Sequence, residues 1–305
     1  MQHKNSPRVA AIDMGTNTSH ILIGERIEGK LTWVTRKRCW VNLAEEGIST
    51  ICPDAIVRIF SSMETFRRVI SEFKVEKVIA VATEGFRRAS NGGVLLERIN
   101  NEYEIYPEII SGDREAELIF KGTLLLERRS GGLDLIMDIG GGSTEFILHD
   151  FKKILWKRSF KAGVSILYNA HISHDPITPA EVDSLFQYLD KELNPLLMKC
   201  ASIDVFSLTG ASGTFDVLRD MISYQKDGDK VTRLSKSIFY DLHEKVSGLP
   251  YELRKQIKAI PPQRVQLIPA AFYLIKYVLE NLSIQEIHVS PYAMKEGIIS
   301  EMTEV

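Results

Sequence analysis

Short apolar runs and longer segments of helical period alternate along the first third of the chain. Four runs rich in β-branched residues predict strands, namely Val9–Ile12, Thr18–Ile23, Leu31–Thr35 and Val78–Val81. Pro53–Phe73 predicts a helix because its apolar residues recur every three or four positions. These residues are Ile56, Ile59, Phe60, Met63, Phe66 and Ile70. Such alternation indicates an α/β domain.

A second α/β series follows in the rest of the chain. Its predicted strands are Leu133–Met137, Glu145–Leu148 and Lys153–Arg158. A later helix begins at the segment Thr178-Pro179-Ala180-Glu181, which combines a capping box with proline at the first helical position. The charged and glycine-rich run Glu127–Gly132 separates the two series and predicts a turn or an inter-domain connection. We therefore expect two domains, residues 1–124 and residues 125–290.

One short motif occurs once in each half of the chain, at Ile12–His20 and again at Met137–Glu145. Each copy is an apolar strand, an aspartate, a tight glycine turn with small polar residues and a second strand, which together predict a β-hairpin. Two such copies at a domain-sized spacing predict two domains of like topology that face one cleft.

Three segments have the composition of a phosphate-binding loop. Phosphate needs several converging backbone N–H donors, and small residues let the chain approach closely while adopting positive φ. The candidate residues are Gly15, Thr16, Asn17 and Thr18; Gly140, Gly141, Gly142, Ser143 and Thr144; and Ser212, Gly213 and Thr214. The third set follows the predicted strand Val205–Leu208 and opens a predicted helix at Thr214–Met221, whose N-terminus would attract an anion. Any one segment could equally be an ordinary turn.

Three acidic residues flank these loops, namely Asp13, Asp138 and Glu145. Mg²⁺ is commonly held by one or two carboxylates together with phosphate oxygens, so these acids are candidate metal ligands. Glu145 lies on the strand after the turn, where its side chain could reach the same cleft as Asp138. Alternatively, Asp13 and Asp138 are turn residues that bond to their own backbone.

Two further segments contain candidate functional residues. Ser111 opens a predicted helix whose buried stripe is Ala116, Ile119, Phe120 and Leu124. Glu115 lies in its first turn, where an acid is favourable against the helix dipole without any further role. Arg87 and Arg88 follow a strand and a turn, and they are either a bidentate phosphate clamp or solvated surface residues.

Composition and charge narrow the possible functions. The 305 residues include 38 Lys and Arg against 40 Asp and Glu, giving a net charge of −2 that argues against bulk electrostatic binding of nucleic acid or a membrane. Cys39, Cys52 and Cys200 have neither CxxC spacing nor an even number, so we expect reduced thiols and a cytoplasmic location. The sequence contains neither a signal-peptide pattern nor an apolar run of transmembrane length.

Five segments, in order, resemble the motifs of the exopolyphosphatase / guanosine pentaphosphate phosphohydrolase family. They are Ala11–Thr18, Ala82-Thr83 with Arg87 and Asn91, Ile110–Ala116, Asp138–Glu145 and Gly210–Thr214. The resemblance extends over essentially the whole chain and indicates the short, two-domain form. Actin, Hsp70 and sugar kinases share the duplicated hairpins, but they lack the ISGxxEA helix start before DIGGGSTE.

The resemblance implies two actin-like (RNase H-like) α/β domains around an interdomain cleft, with residues 291–305 returning to the first domain. It also implies hydrolysis of terminal phosphoanhydride bonds in inorganic polyphosphate or guanosine pentaphosphate. Glu115 is similar to the family's catalytic glutamate, and Arg87 matches an arginine that faces the substrate anion. Asp138 and Glu145 look like Mg²⁺-associated acids, and the glycine loops look like a phosphate cradle. A homodimer is also expected from the family.

Several positions depart from the family pattern. His20 and Lys295 stand where arginine is commoner, Glu84 replaces a small residue beside Arg87, and Gln266 replaces an acid near Arg264. Lys295 lies in the closing motif Val289–Gly297 and is the expected phosphate ligand there, although as a point charge. Two alternatives therefore stay open: an alarmone- or nucleotide-binding sensor that has lost turnover, and a phosphotransferase of the sugar-kinase type.

Overall fold

The computed structural model describes residues 7–126, 132–222 and 232–303. The chain divides into two units: unit 1 comprises Met1–Leu125 and Tyr292–Val305, and unit 2 comprises Leu126–Pro291. Of the predicted connection Glu127–Gly132, residues 127–131 lie outside the described part of the chain.

Strands and helices alternate along the described chain, as the periodicity predicts. The strands are β1 Val9–Met14, β2 Thr18–Ile27, β3 Lys30–Trp40, β4 Lys77–Ala82, β5 Pro107–Ile109, β6 Leu133–Ile139, β7 Thr144–His149, β8 Ile154–Phe160, β9 Val205–Ala211, β10 Thr232–Leu234 and β11 Glu286–Val289. The helices are α1 Pro53–Glu72, α2 Glu84–Arg88, α3 Gly92–Tyr103, α4 Gly112–Leu124, α5 Val164–His171, α6 Pro179–Glu192, α7 Asn194–Cys200, α8 Ser212–Ile222, α9 Lys236–Ser247, α10 Tyr251–Arg254, α11 Ile268–Asn281 and α12 Met294–Thr303.

Unit 1 is built on a five-stranded sheet in the order β3-β2-β1-β4-β5. β1, β2 and β3 form an antiparallel meander. β4 is parallel to β1, and β5 is parallel to β4. One face packs on α1, because Ile12 and Ile21 are cross-strand partners in the same apolar core as Phe66. The predicted helical face of α1 is correct, since Ile56, Phe60 and Ile70, although only partly buried, pack against this core.

Unit 2 repeats this plan with a six-stranded sheet in the order β10-β11-β9-β6-β7-β8. β6, β7 and β8 are the antiparallel meander, and β9 runs parallel to β6. The predicted capping box begins α6: Thr178 accepts from the Glu181 N–H, and Glu181 accepts from the Thr178 N–H. The duplicated motif therefore forms a β-hairpin of the same topology in each unit.

The C-terminal helix α12 packs closely against α4 in unit 1. A Cβ atom at Gly122 would overlap the Ala293 carbonyl, and one at Gly297 would overlap the Leu118 carbonyl, so both glycines let the two backbones meet. Arg114 and Lys121 of α4 bind the Glu301 carboxylate at the other end of the contact. These pairs show that the helices run antiparallel.

This packing corrects one residue of the predicted stripe on α4. Ala116, Ile119 and Phe120 are buried as expected, but Leu124 is 37% exposed. Leu124 lies in the last turn, at the margin of the face formed by the other three residues, so it points past the contact with α12.

We expect Gly122→Ala to lower the free energy of unfolding by about 1–3 kcal/mol, because the added methyl group meets backbone rather than a movable side chain. Chemical denaturation measures the loss. The matched control is Gly93→Ala, since a Cβ at this helical glycine meets nothing within 4 Å. Equal stability of the two variants would contradict the close α4–α12 packing.

No helix in the described part of the chain is long and apolar enough to cross a membrane.

Candidate active site

The turn of the unit 1 hairpin is held by backbone hydrogen bonds on both sides. The Gly15 N–H donates to the Thr18 carbonyl at 3.0 Å, and the Leu43 N–H donates to the Thr16 carbonyl at 2.7 Å. A Cβ at Gly15 would lie only 3.0 Å from that Thr18 carbonyl oxygen. Gly15 therefore favours the turn through its close approach to this carbonyl, and not through the positive φ that we predicted, since its φ lies outside the left-handed region.

Asp13 and His20 lie opposite each other beside this turn. They are cross-strand partners on β1 and β2, so their side chains project from the same face of the sheet. The His20 Nε2 atom lies 2.9 Å from the Thr18 hydroxyl oxygen, which ties the imidazole to the predicted phosphate loop. Thr16 is buried, whereas Asp13 and His20 are partly exposed.

Glu115 lies in the first turn of α4. Ser111 caps this helix by accepting from the Arg114 N–H at 3.2 Å, and the Glu115 N–H donates to the Ser111 carbonyl at 2.9 Å. The Glu115 residue is only 8% exposed. An acid that served the helix dipole alone would not need this burial, since that interaction is available at the surface.

Arg87 lies next to Glu115, on a short helix that begins where we predicted the turn between a strand and this arginine. Its Nη2 atom is 3.8 Å from the Glu115 Oε2 atom, and its Nη1 donates to the Ile110 carbonyl. Arg87 belongs to α2, which starts at Glu84 immediately after β4 and its short connection. The Nε and Nη2 atoms of Arg87 both donate to Glu84 Oε2, at 3.0 and 2.5 Å. Glu84 thus occupies one edge of the Arg87 guanidinium. The Oε1 atom of Glu84 lies 3.7 Å from Arg88 Nε.

Lys295 lies near the start of α12, the helix that packs against α4. Its ammonium group is 3.3 Å from the buried carboxylate of Glu296, which also accepts from the Ala293 N–H at 2.8 Å. Because α12 runs antiparallel to α4, Ala293 is level with Gly122, more than one turn from Glu115. The role of Lys295 as a phosphate ligand stays a prediction.

Asp138 and Glu145 face each other across the unit 2 hairpin. They are cross-strand partners on β6 and β7, so both carboxylates project from one face of the sheet. Both are buried, with 6% and 1% exposure. The Ser159 hydroxyl of β8 donates to Glu145 Oε1 at 2.7 Å, and the Ser212 hydroxyl donates to Asp138 Oδ2 at 2.8 Å.

The start of α5 packs against the glycine turn of this hairpin. The N–H groups of Val164 and Ser165 donate to the carbonyls of Gly140 and Gly141 at 2.9 and 3.0 Å. The Thr144 hydroxyl donates to the Ala162 carbonyl at 2.7 Å, and Ser143 is buried beside it. These bonds hold the backbone of the turn in a fixed conformation.

The third predicted loop joins the same hairpin in unit 2. Asp138 is paired with Ala211 on the parallel strand β9, and Ser212 follows at the corner where β9 becomes α8. Ser212 has φ 65°, so the left-handed residue of this loop is the serine rather than a glycine. Its hydroxyl reaches Asp138 as a result, and Thr214 is buried in the first turn of α8.

Arg264 approaches this corner from a distant part of unit 2. Its guanidinium lies against Gly213 so closely that a Cβ there would overlap it. A cation beside a helix N-terminus opposes the helix dipole, and a bound anion would relieve that repulsion. Apart from the glycine itself, no sequence pattern indicates this contact, because Arg264 and Gly213 are brought together by tertiary structure.

The unit 2 carboxylates have the chemistry that Mg²⁺ prefers. The donors are two buried carboxylates and two hydroxyls, all oxygen, beside a small-residue turn. In the described residues, no group of three or more His, Cys, Asp or Glu side chains is placed to hold a metal. A cation there would complete its coordination with water and phosphate oxygens, which is the usual arrangement for Mg²⁺.

Fold and hairpins together define a class of protein: two actin-like α/β domains, each with a hairpin whose small-residue turn is flanked by an aspartate. This confirms the predicted fold class. Residues 22–304 match the model of the Ppx/GppA phosphatase family, and the chain belongs to that family.

Relatives of known structure match over nearly their full length. An exopolyphosphatase from Cytophaga hutchinsonii is 34% identical, with a TM-score of 0.92 and 97% coverage of each chain. The Ppx/GppA family member from Aquifex aeolicus is 27% identical, with a TM-score of 0.81 and 97% coverage of each. A guanosine-5'-triphosphate,3'-diphosphate pyrophosphatase from Vibrio cholerae is 26% identical over 99% of this chain. The chain spans only 61% of the length of that relative.

Proposed function

We propose that the protein hydrolyses terminal phosphoanhydride bonds of inorganic polyphosphate, of guanosine pentaphosphate, or of both. The observation that carries this proposal is the burial of Glu115 beside Arg87. Glu115 is 8% exposed, its Oε2 atom lies 3.8 Å from Arg87 Nη2, and the first turn of a helix needs no buried acid. Membership of the Ppx/GppA phosphatase family and the likeness to an exopolyphosphatase over 97% of both chains support the reaction class.

In unit 1, Glu115 acts as the general base. Hydrolysis of a phosphoanhydride needs a water in line with the leaving oxygen, and a carboxylate within hydrogen-bond distance can orient that water and accept its proton. Arg87 contributes positive charge to the phosphate oxygens, and Gly15, Thr16, Asn17 and Thr18 offer backbone and hydroxyl donors. Asp13 and Lys295 keep their predicted roles as a metal-associated acid and a phosphate ligand.

In unit 2, Asp138 and Glu145 would hold Mg²⁺, and Ser212 and Ser159 orient the two carboxylates. When bound, Mg²⁺ supplies charge neutralisation for phosphate oxygens. Gly140, Gly141, Gly142, Ser143 and Thr144 form one phosphate loop, and Gly213 and Thr214 continue it at the start of α8. The loop from Gly140 to Thr144 is held by hydrogen bonds before any ligand arrives, which reduces the entropy lost on binding.

The experiment is release of orthophosphate from polyphosphate and from guanosine pentaphosphate, each with Mg²⁺ and with no acceptor added. We expect orthophosphate release from at least one substrate, and the substrate that is hydrolysed faster is the preferred one. Consumption of the substrate only when a hydroxyl acceptor is present, with the phosphoryl group recovered on the acceptor instead of as orthophosphate, would instead establish a phosphotransferase.

One observation favours a second candidate function, binding without turnover. Two of the donor atoms of Arg87 are already bonded to Glu84, which leaves fewer of its N–H groups for a phosphate. Calorimetric binding of either substrate with no orthophosphate released would establish this sensor function.

A further inference from the structure

Glu84, Arg87 and Glu115 form a carboxylate–guanidinium–carboxylate triad in unit 1, in which both carboxylates are buried and the arginine is partly exposed. Glu84 and Glu115 are 7% and 8% exposed, and the side chain of Arg87 is 24% exposed. The two contacts of Arg87 are unequal, because Glu84 accepts two hydrogen bonds whereas the Glu115 carboxylate is 3.8 Å away. Arg87 is therefore bonded to Glu84 and only close to Glu115.

Without Glu84, Arg87 would pair with Glu115 instead. A guanidinium freed from one buried carboxylate moves to the nearest other one, since an unpaired buried charge is costly. A movement of about 1 Å would bring Nη2 within hydrogen-bond distance of Glu115. A carboxylate in a direct, charge-assisted hydrogen bond is a weaker base and accepts a proton less readily from water.

Local geometry keeps Glu84 in place. Glu84 and Arg87 are three residues apart on α2, which puts their side chains on one face of the helix. Arg88, one turn from Glu84, lies 3.7 Å from its other carboxylate oxygen, and the third arm of Arg87 is fixed by the Ile110 carbonyl. The two arginines and the two glutamates balance in charge.

The geometry points to Glu84 as a positioning residue: it holds Arg87 away from a direct ion pair with Glu115, so that the glutamate stays available to water and the arginine stays available to phosphate. This inference rests on the proposed function of Glu115 and Arg87. It assigns a favourable role to an acid whose sequence position suggests only interference with Arg87.

The test is a double-mutant cycle of Glu84→Gln and Arg87→Gln, measured as kcat and KM for release of orthophosphate with Mg²⁺. We expect Glu84→Gln to lower kcat/KM roughly 10-fold in the wild type and to have no further effect in Arg87→Gln, because Glu84 acts only through Arg87. Equal losses in the two backgrounds would mean a merely structural role and would overturn the inference. A gain in kcat/KM would also overturn it, because Glu84 would then be a competitor of the substrate.

Two additional variants complete the design. Glu102→Gln removes an exposed glutamate that pairs with Arg98 on α3 of the same unit, and its kinetics should match the wild type. Glu84→Asp keeps the charge but shortens its reach, so an intermediate loss is expected, and it replaces Glu84→Gln in the cycle if that variant does not fold.

Failure of the proposed function is recognised separately. If the wild type releases no orthophosphate from either substrate, the same cycle is measured by calorimetric binding of tripolyphosphate. Glu84→Gln should then weaken binding in the wild type and leave it unchanged in Arg87→Gln, because Arg87 captured by Glu115 is lost to the phosphate. Equal changes in both backgrounds would overturn the inference in this assay too.

Discussion

Glu115→Gln is expected to lower kcat for release of orthophosphate by a factor of about 10² to 10⁴, the range for loss of a general base. The amide keeps the size and hydrogen-bonding reach of the side chain but cannot accept a proton from water. Because Glu115 does not act by binding ground-state substrate, KM should change little. The measurement is steady-state kinetics with Mg²⁺ on the faster of the two substrates.

The matched control is Glu117→Gln, two residues farther along α4. Glu117 lies 3.3 Å from the Arg114 Nη1 atom, but its side chain is 42% exposed, so its removal should alter kcat less than twofold. If Glu115→Gln kept full activity, Glu115 would have no part in the mechanism. A loss of equal size in Glu117→Gln would instead indicate that α4 is sensitive to any change of charge.

Local patterns predicted the architecture well. The hairpins of both units, the helix opened by Ser111 and the capping box at Thr178 all depend on residues within a few positions of one another. Strand ends were less predictable: β2 and β3 continue to Ile27 and Trp40 because each strand is paired along its length by its neighbour. Pairing partners are distant in sequence, so periodicity alone does not report them.

The candidate site divides in the same way. Asp138 and Glu145 flank one turn, so the hairpin itself places them opposite each other. The contacts of Ser159 with Glu145 and of Arg264 with Gly213 were not predicted, since they require the register of β8 and the packing of a remote loop. Arg87 was predicted beyond a turn because five residues are too few for a recognisable helical period, although Glu84 and Arg87 have the spacing of a helical pair.

Asp138→Asn is expected to raise the Mg²⁺ concentration for half-maximal activity by roughly 100-fold. Each of the two buried carboxylates supplies one negative charge to an oxygen-only donor set, and an amide oxygen supplies none. Asparagine keeps an oxygen that can still accept from the Ser212 hydroxyl, so the corner between β9 and α8 should persist. The measurement is the Mg²⁺ titration of orthophosphate release, with Mn²⁺ binding followed by electron paramagnetic resonance as a readout that needs no turnover.

Asp183→Asn provides the control, because Asp183 is an exposed acid on α6 of the same unit and its Mg²⁺ titration should match the wild type. Ser212→Ala separates two effects within the site. In Ser212→Ala the Mg²⁺ concentration for half-maximal activity should rise less than in Asp138→Asn, because the carboxylate keeps its charge and loses only a hydrogen-bond donor that orients it. An unchanged Mg²⁺ titration and unchanged Mn²⁺ binding in Asp138→Asn would remove this carboxylate from the metal site.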